Sequence, residues 1–464
     1  MKTTGEGDST RKILDWEAVP DCIRTGHRMG VVSWRGCLVF VLLCLLHPFP
    51  AGSSGTTHAQ SRTFSGARKL PAPANTIIAI DSLLVSEVEE KNVAGAVVQV
   101  MQNGEVLHSG AYGVAQRYSY GMVPLENAAE MTVNHIFDLA SLTKVFATTF
   151  AVMLLVDREV IGLDDPVRAY LSEFTGDGKE VVTIRHLLTH TAGLTEWLPL
   201  YYHASTGAET YEFIARIPLK YDVGSGRHYS DLGFMLLGYI VERAAGRSLD
   251  VFLRDTLYEP LGLRSTTFNP LENNVDPSRI AATSHGNPFE RRMVYDDTFG
   301  YRVDVDPQAW DGWREYTLRG EVNDGNAFYA NDGVAGHAGL FSTVGDLQTL
   351  LDLLLHDGSL SGEIWIRSEV VREFLRKDTL GDNGLGWALD PEVIQARSAP
   401  PGTFGHTGFT GTSVVAIPEY ALSIILLTNR QNVGPDETGD YYDLNPTRQR
   451  LVALVLEEAA PLRR

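Results

Sequence analysis

Asp138-Leu139-Ala140-Ser141-Leu142-Thr143-Lys144, running into Val145-Phe-Ala-Thr-Thr-Phe-Ala-Val-Met-Leu-Leu-Val156, decides the reading of this chain. The second part is largely apolar and free of Gly and Pro, which predicts a buried helix. Ser141 then falls in the first turn of that helix, and Lys144 lies one turn further along the same face. A serine hydroxyl attacks a carbonyl only when a base takes its proton, and a nearby amine is one candidate. Free backbone N–H groups and the positive end of the helix dipole would favour negative charge beside Ser141. Alone, Ser-x-x-Lys equally describes a helix N-cap serine with a solvated lysine. The reading therefore depends on the rest of the chain.

Working outward, Thr76–Glu90 carries Ile77, Ile80, Leu84 and Val88 at helical spacing. Gly95–Val100 and Glu105–Tyr112 read as two strands joined by Asn103-Gly104, a strong hairpin signal. Residues 155–265 read as mainly helical, and 266–340 as long loops over one face. Gly405–Ala416 and Ala421–Thr428 read as strands separated by a Pro-Glu turn, and Thr447–Ala459 as a closing helix. Strands at both ends with helices between imply an α/β (α+β) fold. An antiparallel sheet flanked by helices, formed by 76–150 and 335–464, would be interrupted by a helical and loop insertion over 151–334.

Cys37–Leu46 is an apolar run too short to span a bilayer but suited to a signal-peptide core. Cleavage after Ala59 is expected, with a flexible lead-in over 60–75, and Met29 is a second candidate start. All 3 cysteines precede that point, so the mature chain would have no thiol chemistry. It would be secreted or periplasmic, with no stable membrane span. The net charge of −19 argues against nucleic acid as a partner.

Three further segments bear chemistry. Tyr229-Ser230-Asp231 precedes the apolar run Leu232–Ile240, so Tyr229 and Asp231 can point into a cleft, though Ser230 or Asp231 can equally cap the helix. Gly405-His406-Thr407-Gly408 lies on a strand where glycine permits close approach of a ligand, or simply a bend. Leu187–Leu194 reads as a helix ending at Gly193. His186 and His190 stand at zinc-compatible spacing but lack the Glu of H-E-x-x-H, so helix-end packing is the better reading. His337, in Gly336-His-Ala-Gly339, is a cleft residue or a turn histidine. Glu321, Asp324 and Asp332 lack calcium-loop spacing. No metal and no cofactor is expected.

Taken in order, Ser141/Lys144, Tyr229/Asp231 and His406/Thr407/Gly408 resemble the motifs of the serine β-lactamase and penicillin-binding protein superfamily. The likeness is to its class C β-lactamase-like branch, with D,D-peptidase and esterase relatives, and runs from about residue 76 to 460. It implies that Ser141 is acylated, that Lys144 holds or takes its proton, and that Tyr229 shuttles a proton to the leaving group. The backbone N–H groups of Ser141 and Phe409 would form the oxyanion hole. Asp231, His406, Thr407 and Gly408 would contact substrate.

Two positions depart from the pattern. Asp231 stands where the family often has Asn, and could pair with Lys144 and keep it protonated, leaving Tyr229 as the base. His406 stands where a lysine is common, and a neutral imidazole offers one donor in place of a fixed charge. That suits a small-molecule ester or a peptidoglycan-type peptide better than efficient β-lactam turnover. The expected function is a secreted serine hydrolase acting through an acyl-enzyme on an ester, amide or β-lactam carbonyl. A penicillin-binding module that acylates without turnover is the alternative.

Overall fold

The computed structural model describes residues 74–299, 304–381 and 383–457. The expected signal peptide, its three cysteines and nearly all of the lead-in lie outside the described residues.

The hairpin forms as its sequence requires. Gly95–Gln102 and Glu105–Gly113 pair antiparallel, with Asn103 and Gly104 at φ 52° and 77°. Only residues that tolerate the left-handed region turn a chain this tightly. Leu422–Thr428 pairs with the first of these strands, Ser413–Ile417 follows, and Phe404–Thr407 closes the sheet as its edge. All five strands are antiparallel, and the two ends of the described chain thus meet in one sheet.

Alternation along the central strands sorts the sheet's two faces. Ala96, Val98, Val100, Ile424 and Leu426 pack with Ile80 and Leu84 of the helix Ala74–Glu89 and with Leu451 and Val455 of the helix Asn445–Glu457. Val97, Ile425 and Leu427 face the opposite way, into the largest core. The segment from Leu142 to Leu155 is buried there almost throughout, along with Leu232–Leu237 and Leu347–Leu355.

Three local expectations differ from the structure. The helix after Ser141 opens as a π-helix over Lys144–Thr149 before becoming α over Phe150–Asp157. Such widened turns occur frequently at functional sites. Ser141 stands just before the helical residues, and its carbonyl accepts the Lys144 N–H at 3.0 Å. The helix expected to reach Gly193 spans only Ile184–Leu188, because His190 and Gly193 turn the chain at φ 58° and 79°. The stretch 266–340 carries the helices Pro288–Tyr295 and Gly325–Ala330 and the strand Thr267–Phe268. That strand and Phe137–Asp138 pair on either side of Leu340–Ser342, a small sheet leading directly into Ser141. No helix among the described residues is long and apolar enough to cross a membrane.

Candidate active site

Ser141 is held by its own upstream residues. Asp138 is fully buried, and its carboxylate oxygens accept the Ala140 N–H at 2.9 Å and the Asn323 N–H at 2.6 Å. Burial pushes its carboxyl up to about 6 despite these bonds. Ala140 sits at φ 46°, a left-handed conformation that a non-glycine side chain disfavours. The turn that presents Ser141 is therefore strained and anchored.

Lys144 is wholly buried, and its Nζ makes three polar contacts. It donates to Ser141 Oγ at 3.0 Å and to the His337 carbonyl at 3.2 Å, and it faces Asp231 Oδ1 at 2.8 Å. Burial alone would favour the neutral amine, but the Asp231 carboxylate, assisted by Tyr229, overrides it and drives the ammonium well above its ordinary range. Lys144 is a cation in this state.

Tyr229 and Asp231 come from the start of the helix Asp231–Ala245. Both sequence readings of this segment hold together. Ser230 caps the helix by accepting the Gly233 N–H at 3.3 Å, which leaves Asp231 to turn towards Lys144. The Tyr229 ring lies 5.0 Å from Lys144 Nζ and 4.4 Å from the buried His190 ring. His190 Nδ1 accepts the Ser230 N–H at 3.0 Å, so this histidine props the tyrosine segment. It stands apart from His186, whose Nδ1 accepts the Thr183 N–H at 3.1 Å in a capping box.

His406 is on the edge strand, its ring 6.1 Å from that of Tyr229. Burial, with Lys144 and Arg227 nearby, lowers its pKa to about 3, so the imidazole is neutral at pH 7. Its Nδ1 lies 2.8 Å from the Thr407 carbonyl, an acceptor, so Nδ1 carries the proton and Nε2 is left as an acceptor. The donor expected to face substrate is thus spent on the strand.

Beyond Thr407 the chain turns through Gly408 and Phe409. A Cβ on Gly408 would fall 2.1 Å from Thr412 Oγ1 and 2.5 Å from the Leu139 carbonyl, so only glycine fits. Thr410 and Thr412 donate to the Asp138 and Leu139 carbonyls at 2.7 and 3.1 Å. These bonds tie the turn to the Ser141 loop. Arg448 donates to the Thr412 carbonyl at 3.0 Å and steadies it from behind.

His337, open in the sequence between a cleft residue and a turn histidine, lines the cleft, and its partner carries no sequence signal. His337 Nε2 meets Asp324 Oδ1 at 2.9 Å, with His337 almost fully buried. Its segment approaches the Asp231 helix so closely that a Cβ on Gly336 would fall 2.0 Å from the Phe234 carbonyl. The glycines of 333–339 were the available signal. Asp231, Asp324 and His337 offer atoms within 4.8 Å of one another. They already serve each other and Lys144, whose charge would repel a cation there. Glu290 is buried beside them, and its desolvation together with the Asp324 charge pushes its carboxyl up to about 8.

Two cavities meet at Ser141, Tyr229 and Phe409. One, of about 490 Å³, is lined by His406, Thr407, Gly408, Arg227, Arg430 and Arg448. The other, of about 290 Å³, is lined by Glu196, Trp197, Asp231, Phe289, Glu290 and Asp324. Seven of the eight residues expected at the site line these cavities, and the eighth, Lys144, is buried next to Ser141 with Nζ 3.0 Å from its Oγ.

An antiparallel sheet with flanking helices, carrying Ser-x-x-Lys, Tyr-x-Asp and His-Thr-Gly around a single cleft, defines the class of the serine β-lactamases and penicillin-binding proteins. Within it, the chain belongs to the beta-lactamase family, whose model matches residues 80–447. An N-acetylmuramyl-L-alanine amidase of Bacillus subtilis (strain 168) is 34% identical over 385 residues, covering 77% of this chain and 84% of the relative. A protein of Escherichia coli (strain K12), provisionally named a D-alanyl-D-alanine carboxypeptidase, is 34% identical over 350 residues, covering 71% and 77%. Among solved structures, EstCE1, a hydrolase with promiscuous acyltransferase activity, superposes with a TM-score of 0.59 at 23% identity, over 82% of this chain and 98% of that one. At that identity the likeness concerns the fold alone.

Proposed function

We propose that this protein is a serine hydrolase that acylates Ser141 and then hydrolyses the acyl-enzyme. Its substrates would be ester or amide carbonyls, with D-amino-acid peptides and short esters preferred to β-lactams. The observation that carries this reading is Lys144 Nζ at 3.0 Å from Ser141 Oγ and 2.8 Å from Asp231, in a cleft that Tyr229 shares.

A charged Lys144 cannot take the serine proton, so Tyr229 is the base. With Tyr229 acting in its phenolate form beside the Lys144 ammonium, the Ser141 O–H proton passes to the Tyr229 oxygen as Oγ bonds to the carbonyl carbon. Lys144 balances the negative charge of the phenolate before this transfer and that developing on Oγ during it. The backbone N–H groups of Ser141 and Phe409 have no acceptor among the described residues and would receive the oxyanion. Each such donor is commonly worth about 3 kcal/mol in the transition state. As the carbonyl reforms, the bond to the leaving nitrogen or oxygen breaks and the leaving atom takes the proton from Tyr229. Water then attacks the acyl carbon, gives a proton to Tyr229, and that proton returns to Ser141 Oγ.

The amidase and carboxypeptidase relatives support an amide or peptide substrate. His406, being neutral, does not itself supply a fixed charge for a substrate carboxylate. The apolar run Cys37–Leu46 supports export from the cytoplasm.

Parallel rate measurements on a p-nitrophenyl ester, a D-Ala-D-Ala peptide and nitrocefin test the proposal, with Ser141→Ala as control. The ester is expected to react fastest, and Ser141→Ala to lose turnover and labelling by an active-serine probe together. Retained labelling would refute the assignment. A burst equal to the enzyme concentration with nothing after it would instead identify an acylating binder.

A further inference from the structure

The larger cavity contains three arginines, and they are not equivalent. Arg430 is occupied, donating to the Phe409 carbonyl at 2.7 Å and the Tyr442 carbonyl at 2.6 Å. Arg448 donates to Asn445 Oδ1 and the Thr412 carbonyl, both at 3.0 Å. Arg227 lines the same cavity but makes no ion pair or hydrogen bond among the described residues, and its Nε is buried without a partner. Its guanidinium carbon lies 5.7 Å from the centre of the Tyr229 ring.

An arginine held half out of water with no counter-charge is costly unless something supplies one. Burial lowers its pKa, and Tyr229 and Asp390 offset that only in part. The guanidinium fork matches a carboxylate in two parallel hydrogen bonds. The neighbouring cavity is lined by the carboxylates of Glu196, Asp231 and Asp324, which repel an anion. The field across Ser141 therefore drives a substrate carboxylate to one side only. His406, neutral and with Nε2 left as an acceptor, cannot hold it there.

We propose that Arg227 is the specificity residue that binds a substrate carboxylate in the arginine-lined cavity. The favoured substrate would then be a peptide whose leaving group carries a free C-terminal carboxylate. This rests on the acyl-enzyme reading of Ser141 and supplies from Arg227 the charge that His406 lacks.

The test compares two peptides with the same acyl part, one ending in free D-alanine and the other in D-alaninamide. The wild-type protein is expected to favour the free acid through KM. Arg227→Gln is expected to reduce that preference by about 10- to 100-fold, the range for losing one charge-assisted pair. Arg227→Lys should restore part of it by charge without the fork. Competitive inhibition of ester hydrolysis by N-acetyl-D-alanine and by its amide gives the same comparison independently of peptide turnover, and circular dichroism checks that each variant is folded. An equal loss for acid and amide in folded Arg227→Gln, or an unchanged preference, would overturn the proposal. Ester hydrolysis surviving Ser141→Ala would instead overturn the reading of the site itself.

Discussion

Asp231 Oδ1 lies 2.8 Å from Lys144 Nζ, and this ion pair sets the protonation state of the lysine beside Ser141. The lysine is fully buried, so without the carboxylate its ammonium would be strongly disfavoured. With it, the ammonium persists to high pH, and the proton on Lys144 becomes a fixed feature of the resting cleft.

Asp231→Asn removes that counter-charge and restores the residue more often found in the family. Lys144 then loses its proton at lower pH. If charged Lys144 supports Tyr229, the alkaline limb of the kcat/KM profile moves to lower pH. A pH–rate profile from pH 6 to 10 with a p-nitrophenyl ester measures it. An unmoved alkaline limb would mean that Lys144 is not the group whose proton matters. Linkage gives a second readout. A lysine whose folded pKa is raised contributes stability below its unfolded pKa and loses it as pH rises through the folded value. Wild-type protein should accordingly lose stability above about pH 10.5 more steeply than Asp231→Asn.

His406 predicts behaviour at the acid end. Its pKa is about 3 in the fold against 6.5 for the free side chain. The unfolded chain therefore binds a proton that the native protein refuses between those values, and stability falls as pH drops through that window. The slope from one such group is at most about 1.4 kcal/mol per pH unit. Asp138 acts in the opposite sense, because its raised carboxyl favours the native state as pH falls below about 6. The two overlap, so the measurement is a difference. Urea unfolding of wild type and His406→Gln at pH 7, 5.5 and 4.5 should show the variant losing less stability on acidification. Parallel losses would contradict a buried, neutral His406.

Asp138 anchors the Ser141 turn through two backbone N–H groups, one of them on Asn323. Asp138→Asn keeps the shape but can turn only one acceptor oxygen towards two donors. One buried N–H loses its partner, which costs about 1–3 kcal/mol. Thermal unfolding at pH 7 should record a lowered Tm, with kcat reduced because Ala140 is held in a strained conformation by this anchor. An unchanged Tm would mean the two bonds contribute nothing net.

How much of this was legible in the sequence follows from how local each signal is. Ser141 and Lys144 sit one helical turn apart, and that spacing survives even though the helix opens as a π-helix, because both residues belong to one turn. Asn103-Gly104 fixed the hairpin for the same reason, since its turn is decided by two residues. The pairing of Asp231 with Lys144 is legible only from the order of the motifs as well as their content, and the sequence alone leaves it as one of two outcomes. His337 and Asp324 were visible as residue types but not as a pair, because their contact depends on where a long irregular segment folds back against the Asp231 helix. Arg227 gave no signal at all. Its meaning is the lack of a partner among the described residues, and no pattern of neighbours in the chain encodes that.

Gly408 offers the sharpest geometric test. Its Cα passes between Thr412 Oγ1 and the Leu139 carbonyl, and a methyl group would fall 2.1 and 2.5 Å from them. The Leu139 carbonyl belongs to the loop presenting Ser141 and is itself held by Thr412 at 3.1 Å, so it has little room to retreat. In Gly408→Ala the turn must shift outward and carry the Phe409 N–H with it. Loss of one oxyanion donor commonly lowers kcat by about 10²–10³. The nucleophile and its lysine are untouched, so the variant should still be labelled stoichiometrically by an active-serine probe, though more slowly. KM should change far less than kcat, since the donor acts on charge present only in the transition state. A Gly408→Ala protein with wild-type kcat would place the oxyanion donors elsewhere than at the turn after His406-Thr407.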